Sequence, residues 1–234
     1  MDVKNILAVD TSSRVLSVAI RTKEKATFEA NLEGTLRHSE QLISLIEEGL
    51  DRLGLKKNEL DGLVWGLGPG SFTGLRIGLS ALKGFHLGLG KKAFGASSLD
   101  LIALGTGIAS GELIVCIDAR RERIYTAIYQ FRNGEVKKVL KDSVLSFDQF
   151  VKKIKTGTVL TGDALVTYGD LIRKRVGEKA LFLKPSFWYP RALFLTHLYE
   201  AKRQWLKPLT LKTMVPQYLR ISEAEEKFGR RKKR

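Results

Sequence analysis

Short apolar runs bounded by turn residues alternate with longer stretches of helical period along this chain of 234 residues. Ile6 to Asp10 is an apolar run ending in the polar turn Thr11-Ser12-Ser13-Arg14, and Val15 to Arg21 and Thr27 to Leu32 read as two further strands. Arg37 to Leu53 then repeats apolar residues at helical spacing, with Leu42, Ile43, Leu45, Ile46, Leu50 and Leu53 on a broad stripe. An apolar run, Leu63-Val64-Trp65, leads through a glycine-rich turn into a helix over Leu75 to Leu89; strand Lys92 to Ala96 and helix Ser98 to Gly105 follow. The order then repeats. Leu113 to Asp118, Ile124 to Phe131 and Val136 to Leu140 read as strands, Phe147 to Lys155 as helix, Thr158 to Thr161 as strand and Leu165 to Val176 as helix. Strand Ala180 to Lys184 and helix Arg191 to Leu206 complete the second half. The halves share element order without visible sequence similarity. They predict an α/β fold of two tandem βββαβαβα units, 1–108 and 109–208, with a C-terminal segment over 209–234.

The turn between the two halves of the first strand–helix pair reads GLGPGSFTGLRIG, Gly66 to Gly78. Gly68 and Gly70 permit backbone angles that a Cβ forbids, Pro69 stiffens the turn, and Ser71 or Thr73 is placed to cap the helix. A Walker loop needs a Lys-Ser/Thr pair after its second glycine, and none is present. The dinucleotide fingerprint also fails, because Gly68-x-Gly70 is followed by Gly74, one residue late. Gly74, Gly78, Ala81, Phe85 and Gly88 share one helix face, so close packing is favoured over anion binding for Gly68, Pro69, Gly70, Ser71, Phe72, Thr73, Gly74 and Arg76.

GPGSFTGLRIG resembles the signature of the TsaB family, which serves tRNA threonylcarbamoyladenosine synthesis in bacteria. ILAVDTS, RHSEQL, GASSLD, DARRERIY and PQYLR extend the likeness, in order, across most of the chain. The resemblance implies an actin-like ATPase (ribonuclease H-like) fold and a non-catalytic subunit that pairs with the catalytic TsaD subunit through first-half helices. It implies a TsaE-like ATPase partner, tRNA reached through the complex, ATP or ADP at a complex interface, and a homodimer when the chain is alone. In active members of that superfamily the first turn wraps nucleotide phosphates, so Asp10, Thr11 and Ser12 are weak nucleotide candidates beside the plainer role of satisfying turn N–H groups. The second phosphate turn corresponds to Thr161-Gly162-Asp163-Ala164, where an acidic residue opposes phosphate. TsaD carries a His-x-x-x-His metal pair; Ser98 and Ile102 occupy those positions here, and Ile102 cannot ligate a metal. No catalytic residue and no metal are therefore expected, and a glycopeptidase-type metal enzyme fails on the same two positions. The partner surface is expected at Arg37, His38, Glu40, Leu42, Leu45 and Ile46, with one flank of the stripe exposed.

Composition adds two points. The single cysteine, Cys116, lies in an apolar strand, and neither a signal peptide nor a membrane span is apparent, which leads to the expectation of a cytoplasmic protein. Net charge is +15, and the run Arg230 to Arg234 supplies 5 of it. An excess of this size suits nucleic acid or, as the plainer alternative, a lysine-rich surface adapted to heat. A stand-alone tRNA binder is the rival class, resting on the aromatic and basic texture of Phe182 to Arg191.

The run Arg230 to Arg234 has no apolar anchor and is expected to be disordered in the free chain. Deleting it should leave folding and partner binding intact while lowering both tRNA affinity and its salt dependence. An unchanged slope of affinity against salt would reduce the run to a solubility feature.

Overall fold

The computed structural model describes residues 4–34, 38–201 and 204–219; Arg37, the His38 side chain and the basic run 230–234 lie outside them. The first sheet is built from β1 (Ile6–Asp10), β2 (Val15–Arg21), β3 (Thr27–Glu33), β4 (Gly62–Gly66) and β5 (Lys92–Ala96), with α1 (His38–Arg52), α2 (Phe72–Leu89) and α3 (Ser98–Gly105) between and after them. The second sheet comprises β6 (Gly111–Asp118), β7 (Arg123–Arg132), β8 (Glu135–Ser146), β9 (Thr158–Thr161) and β10 (Ala180–Phe182), with α4 (Phe147–Val151), α5 (Ala164–Val176) and α6 (Leu193–Glu200). Strand order is β5-β4-β1-β2-β3 in one and β10-β9-β6-β7-β8 in the other, the same arrangement twice. The expected α/β fold with one strand arrangement repeated in two sheets holds.

Why the central strands are apolar at every position follows from what covers them. In β1, Leu7 and Val9 pack with Leu42, Ile46 and Leu79 of α1 and α2, while Ile6 and Ala8 pack with Leu195 and Leu198 of α6. In β6, Ile114 and Cys116 face Leu165 and Ile172 of α5, while Leu113, Val115 and Ile117 face Leu99 and Ile102 of α3. A strand buried on both faces loses the alternation of a half-buried one. The two lobes thus exchange their last helices: α3 covers the second sheet and α6 covers the first. Helix 191–206 was expected to close the second unit; it is shorter, over Leu193–Glu200, and belongs by packing to the first.

The chain continues past α6 into β11 (Lys207–Leu209), a strand that the sequence reading did not anticipate. It pairs antiparallel with β5 at the sheet edge, where Pro208 costs no interior ladder bond. Met214 then closes the core under α1 and α2. The glycine-rich helix starts earlier than its periodicity indicates, at Phe72, because Ser71 Oγ accepts the Gly74 N–H at 3.2 Å.

One expectation is corrected. Leu42, Leu45 and Ile46 are 1%, 7% and 0% exposed and form core, so the stripe on α1 has no open apolar flank except Ile43, 42% exposed. A helix lying on a strongly twisted sheet beside a second helix is covered over more than the usual arc, and α1 touches β2, β3 and α2. An Ile46→Asp variant should lose about 3–5 kcal/mol, enough to unfold much of the population in a urea titration. Ile43→Asp should stay within about 0.5 kcal/mol of the parent.

Candidate functional site

The turn after β1 and the glycine-rich turn after β4 are neighbours, and both are closed on themselves. Asp10 is fully buried. Its Oδ1 accepts the Ser12 N–H at 2.8 Å and the Ser12 hydroxyl at 2.7 Å, and its Oδ2 accepts the Ser98 hydroxyl at 2.6 Å. Ser98 Oγ in turn accepts the Gly68 N–H at 3.2 Å, so the α3 start, β1 and the glycine-rich turn share one buried network. Ser71 N–H donates to the Ser12 carbonyl at 2.6 Å. A Cβ at Gly70 would lie 2.1 Å from the Ser12 carbonyl oxygen, and one at Gly74 would lie 2.1 Å from that of Thr11. The start of α2 therefore rests directly on the hairpin backbone. The space in which an anion would meet this helix end is occupied by the chain itself.

Across the cleft between the lobes, the turns of the second sheet bring carboxylates together. Asp163 Oδ1 accepts the Asp118 N–H at 3.0 Å, and the Asp118 carboxylate takes the Arg120 N–H at 2.7 Å and the Thr167 hydroxyl at 3.2 Å. Burial first, and then the neighbouring Asp118 charge, push Asp163 up to about 6, against the pull of the Asp118 N–H, Arg120 and Arg14. Gly162, at φ +120, lets this turn close on β6, where a Cβ would sit 1.9 Å from the Cys116 carbonyl oxygen. Two carboxylates, Asp163 and Asp118, thus share this turn with Arg120, and Arg14 acts on it from the first lobe.

The C-terminal motif turns out to be a strap between lobes. Gln217 N–H donates to the Leu67 carbonyl at 2.8 Å on the first lobe, while its side-chain amide donates to Asp142 Oδ2 at 2.8 Å on the second. Asp142 ion-pairs with Lys138, which also reaches Asp100 on α3 at 2.6 Å, and Tyr129 OH donates to the same Asp100 oxygen at 2.7 Å. Tyr218 stacks on Phe72 with ring centroids 4.8 Å apart, and Arg76 donates to its hydroxyl at 3.2 Å. Sequence reasoning missed Lys138 and Asp142. The signal was there: both fall in phase with the inward Val136 and Leu140 of β8.

The remaining candidates separate. Glu40 is exposed on α1. His86 Nδ1–H donates to the Lys91 carbonyl at 2.8 Å, and burial lowers the pKa of His197 on α6. Ile102 is fully packed in the apolar layer between α3 and β6. Among the described residues no group of three His, Cys, Asp or Glu is placed to hold a metal ion. Cys116 is buried, donates to the Thr161 carbonyl at 3.2 Å, and has its thiol pKa pushed up by burial. The aromatic and basic texture near residue 188 serves packing: Trp188 Nε1–H donates to the Leu183 carbonyl, and Arg191 forks onto Glu29 at 2.8 and 2.5 Å. Among the described residues no helix is long and apolar enough to cross a membrane.

Comparison with known proteins adds to this geometry. A family model described as TsaD, tRNA N6-adenosine threonylcarbamoyltransferase, matches residues 33–183. The tRNA threonylcarbamoyladenosine biosynthesis protein TsaB of Bacillus subtilis is 27% identical over 226 residues, 95% of this chain and 97% of that one. TsaB of Escherichia coli is 32% identical over 149 residues, 60% of this chain and 64% of its own. The solved structure of YeaZ from Pseudomonas aeruginosa superposes with a TM-score of 0.74 at 23% identity, covering 92% of this chain and 100% of that one, a likeness of fold.

The raised Asp163 carboxyl has a consequence for stability. Its folded pKa of about 6 lies above the unfolded value near 3.9, so the folded state is penalised once the group ionises, and stability falls as pH rises between the two values. Asp163→Asn keeps the acceptor for the Asp118 N–H. The variant should match the parent near pH 4 and exceed it by up to about 2 kcal/mol above pH 7, read from thermal melts. Equal melting shifts at both pH values would refute this account.

Proposed function

The chain belongs to the TsaB (YeaZ) family of tRNA threonylcarbamoyladenosine biosynthesis, and from that premise we propose that it is the non-catalytic subunit that pairs with a TsaD-like enzyme and activates it. The reaction supported is transfer of threonylcarbamoyl from its adenylate to N6 of the adenosine beside the anticodon. The observation that carries this reading is the self-closed pair of turns. Ser98, at a position where the catalytic relative has a metal-binding histidine, spends its hydroxyl on Asp10, and Ile102 is sealed in the core. Residues that would handle a metal or phosphate in an active relative are here used to hold the lobes. A TsaE-like ATPase, with nucleotide at an interface of the assembled complex, supplies the energy input in this reading.

With α1 apolar residues in the core, the surface left for a partner is on α2. Thr73, Ser80, Gly84 and Leu87 lie at helical spacing on the exposed side, with Ile77 beside them partly packed on the core. Leu87 is 67% exposed, and nothing lies within 4 Å of a Cβ built at Gly84 or Gly88. Small residues on an open helix face allow a second helix to approach closely. We assign the TsaD-like subunit to this face, with Ile43 and Glu40 of α1 beside it. A homodimer of the free chain would compete for the same surface.

Gly84→Arg separates pairing from folding, because replacing an exposed glycine inside a helix raises helix propensity. The isolated variant should gain about 0.5–1 kcal/mol of stability while losing capture of the TsaD-like subunit and the stimulation of threonylcarbamoyl transfer. Capture and stimulation at parental levels would overturn the assignment of this face.

A further inference from the structure

The chain is electrically lopsided. Residues 1–108 hold 13 basic against 12 acidic residues, whereas 109–190 hold 15 against 9. The fold gathers much of this second-lobe excess at one end. Lys152, Lys153 and Lys155 follow α4 on the way into β9, and Arg173-Lys174-Arg175 form the last turn of α5. Lys179 joins them, since the Gly157 N–H donates to its carbonyl at 2.8 Å and Ala180 pairs with Thr158. All seven side chains are exposed. Their carboxylate neighbours are four: Asp148 meets Arg175 at 3.4 Å, Glu112 meets Lys155 at 3.4 Å, Asp170 lies one helical turn before Lys174, and Glu178 stands between Arg175 and Lys179 in sequence. Cations in the last turn of α5 also complement its helix dipole, but that role does not extend to Lys152, Lys153 or Lys179.

We propose that this basic pole of the second lobe is a contact for the sugar-phosphate backbone of tRNA. The inference rests on the family reading for the identity of the nucleic acid. Its physical ground is charge of one sign, presented from three separate exposed segments, with the Arg173 guanidinium stacked 3.9 Å over Phe182 and so held in place. The pole lies at the far end of α5 from Asp163, roughly 20 Å along a helix of 13 residues, and so away from the acidic cleft. It is also on the lobe opposite the α2 face, so one copy can hold protein and RNA together. The outer side of α1 exposes Glu40, Glu47, Glu48 and Asp51, but Glu47 and Glu48 are paired with Lys57 and Arg52, so this face offers the backbone no comparable cationic surface.

The test compares the full chain, alone and with its catalytic subunit, in titrations of an in vitro transcribed tRNA at several salt concentrations. Reversing Lys152, Lys174 and Lys179 to Glu should weaken binding at least about tenfold near 0.1 M salt and flatten the slope of log affinity against log salt by about 2. Reversing Lys23, Lys56 and Lys92 on the first lobe should change the slope by less than half as much. Equal losses from both triples would overturn the pole as a specific contact, as would a pole triple that kept the parental slope. A pole triple that lost binding to phosphatidylglycerol vesicles while keeping tRNA would replace the RNA with an anionic membrane. Capture of the TsaD-like subunit is read in parallel: its loss in the parent chain refutes the family role, while its retention beside an unchanged slope refutes the pole alone.

Discussion

Backbone laid directly on backbone is the contact on which the rest of this molecule depends. The start of α2 meets the β1–β2 turn with no side chain between them, since a Cβ at Gly70 or Gly74 would fall 2.1 Å from a carbonyl oxygen. An approach this close fixes the helix angle, seals the turn, and lets Ser98 reach Asp10 from a third element. The buried Asp10 carboxylate tolerates its environment because hydroxyl and N–H donors surround it. Every later placement, α3 on the second sheet and Gln217 on Leu67, is referred to this fixed corner.

The lobes are joined near the same corner. The Asp100–Lys138–Asp142 ion pairs and the Gln217 strap bind α3, β8 and the C-terminal segment, adding buried charge pairs to the apolar contacts between the lobes. Removing one partner from such a cluster leaves the other buried and uncompensated, which makes the junction hard to open. The two lobes carry different surfaces, a small-residue helix face on the first and a cationic pole on the second.

Much of the fold was legible in the sequence because the central strands are short apolar runs with sharp polar ends; β1, β2, β5 and β9 begin and end where the pattern says. What periodicity could not tell is which sheet a helix covers. Apolar residues such as Leu195 and Leu198 are compatible with either lobe, and only the packed structure assigns them to the first. The site was legible in its parts, but which of its apolar residues are buried was not. The apolar stripe of α1 looked like an interface and is core, whereas the open face of α2 is carried by Thr73, Ser80 and Gly84, residues that give no hydrophobic signal. The inward-phased charges of β8 needed a partner, Asp100, lying 38 positions away from Lys138.

The exchange of terminal helices also has a bearing on how the chain is made. The outer face of the first sheet, Ile6, Ala8, Ala19 and Val64, is covered by Leu195 and Leu198, residues that leave the ribosome more than a hundred positions later. Apart from Leu101 of α3, this face of the first lobe has no helix on it until α6 has emerged. At ordinary elongation rates, roughly 5–20 residues per second, that interval lasts on the order of ten seconds. During it the nascent lobe is a substrate for chaperones that bind exposed apolar sheets, and a chain cut short before α6 has no means of covering it.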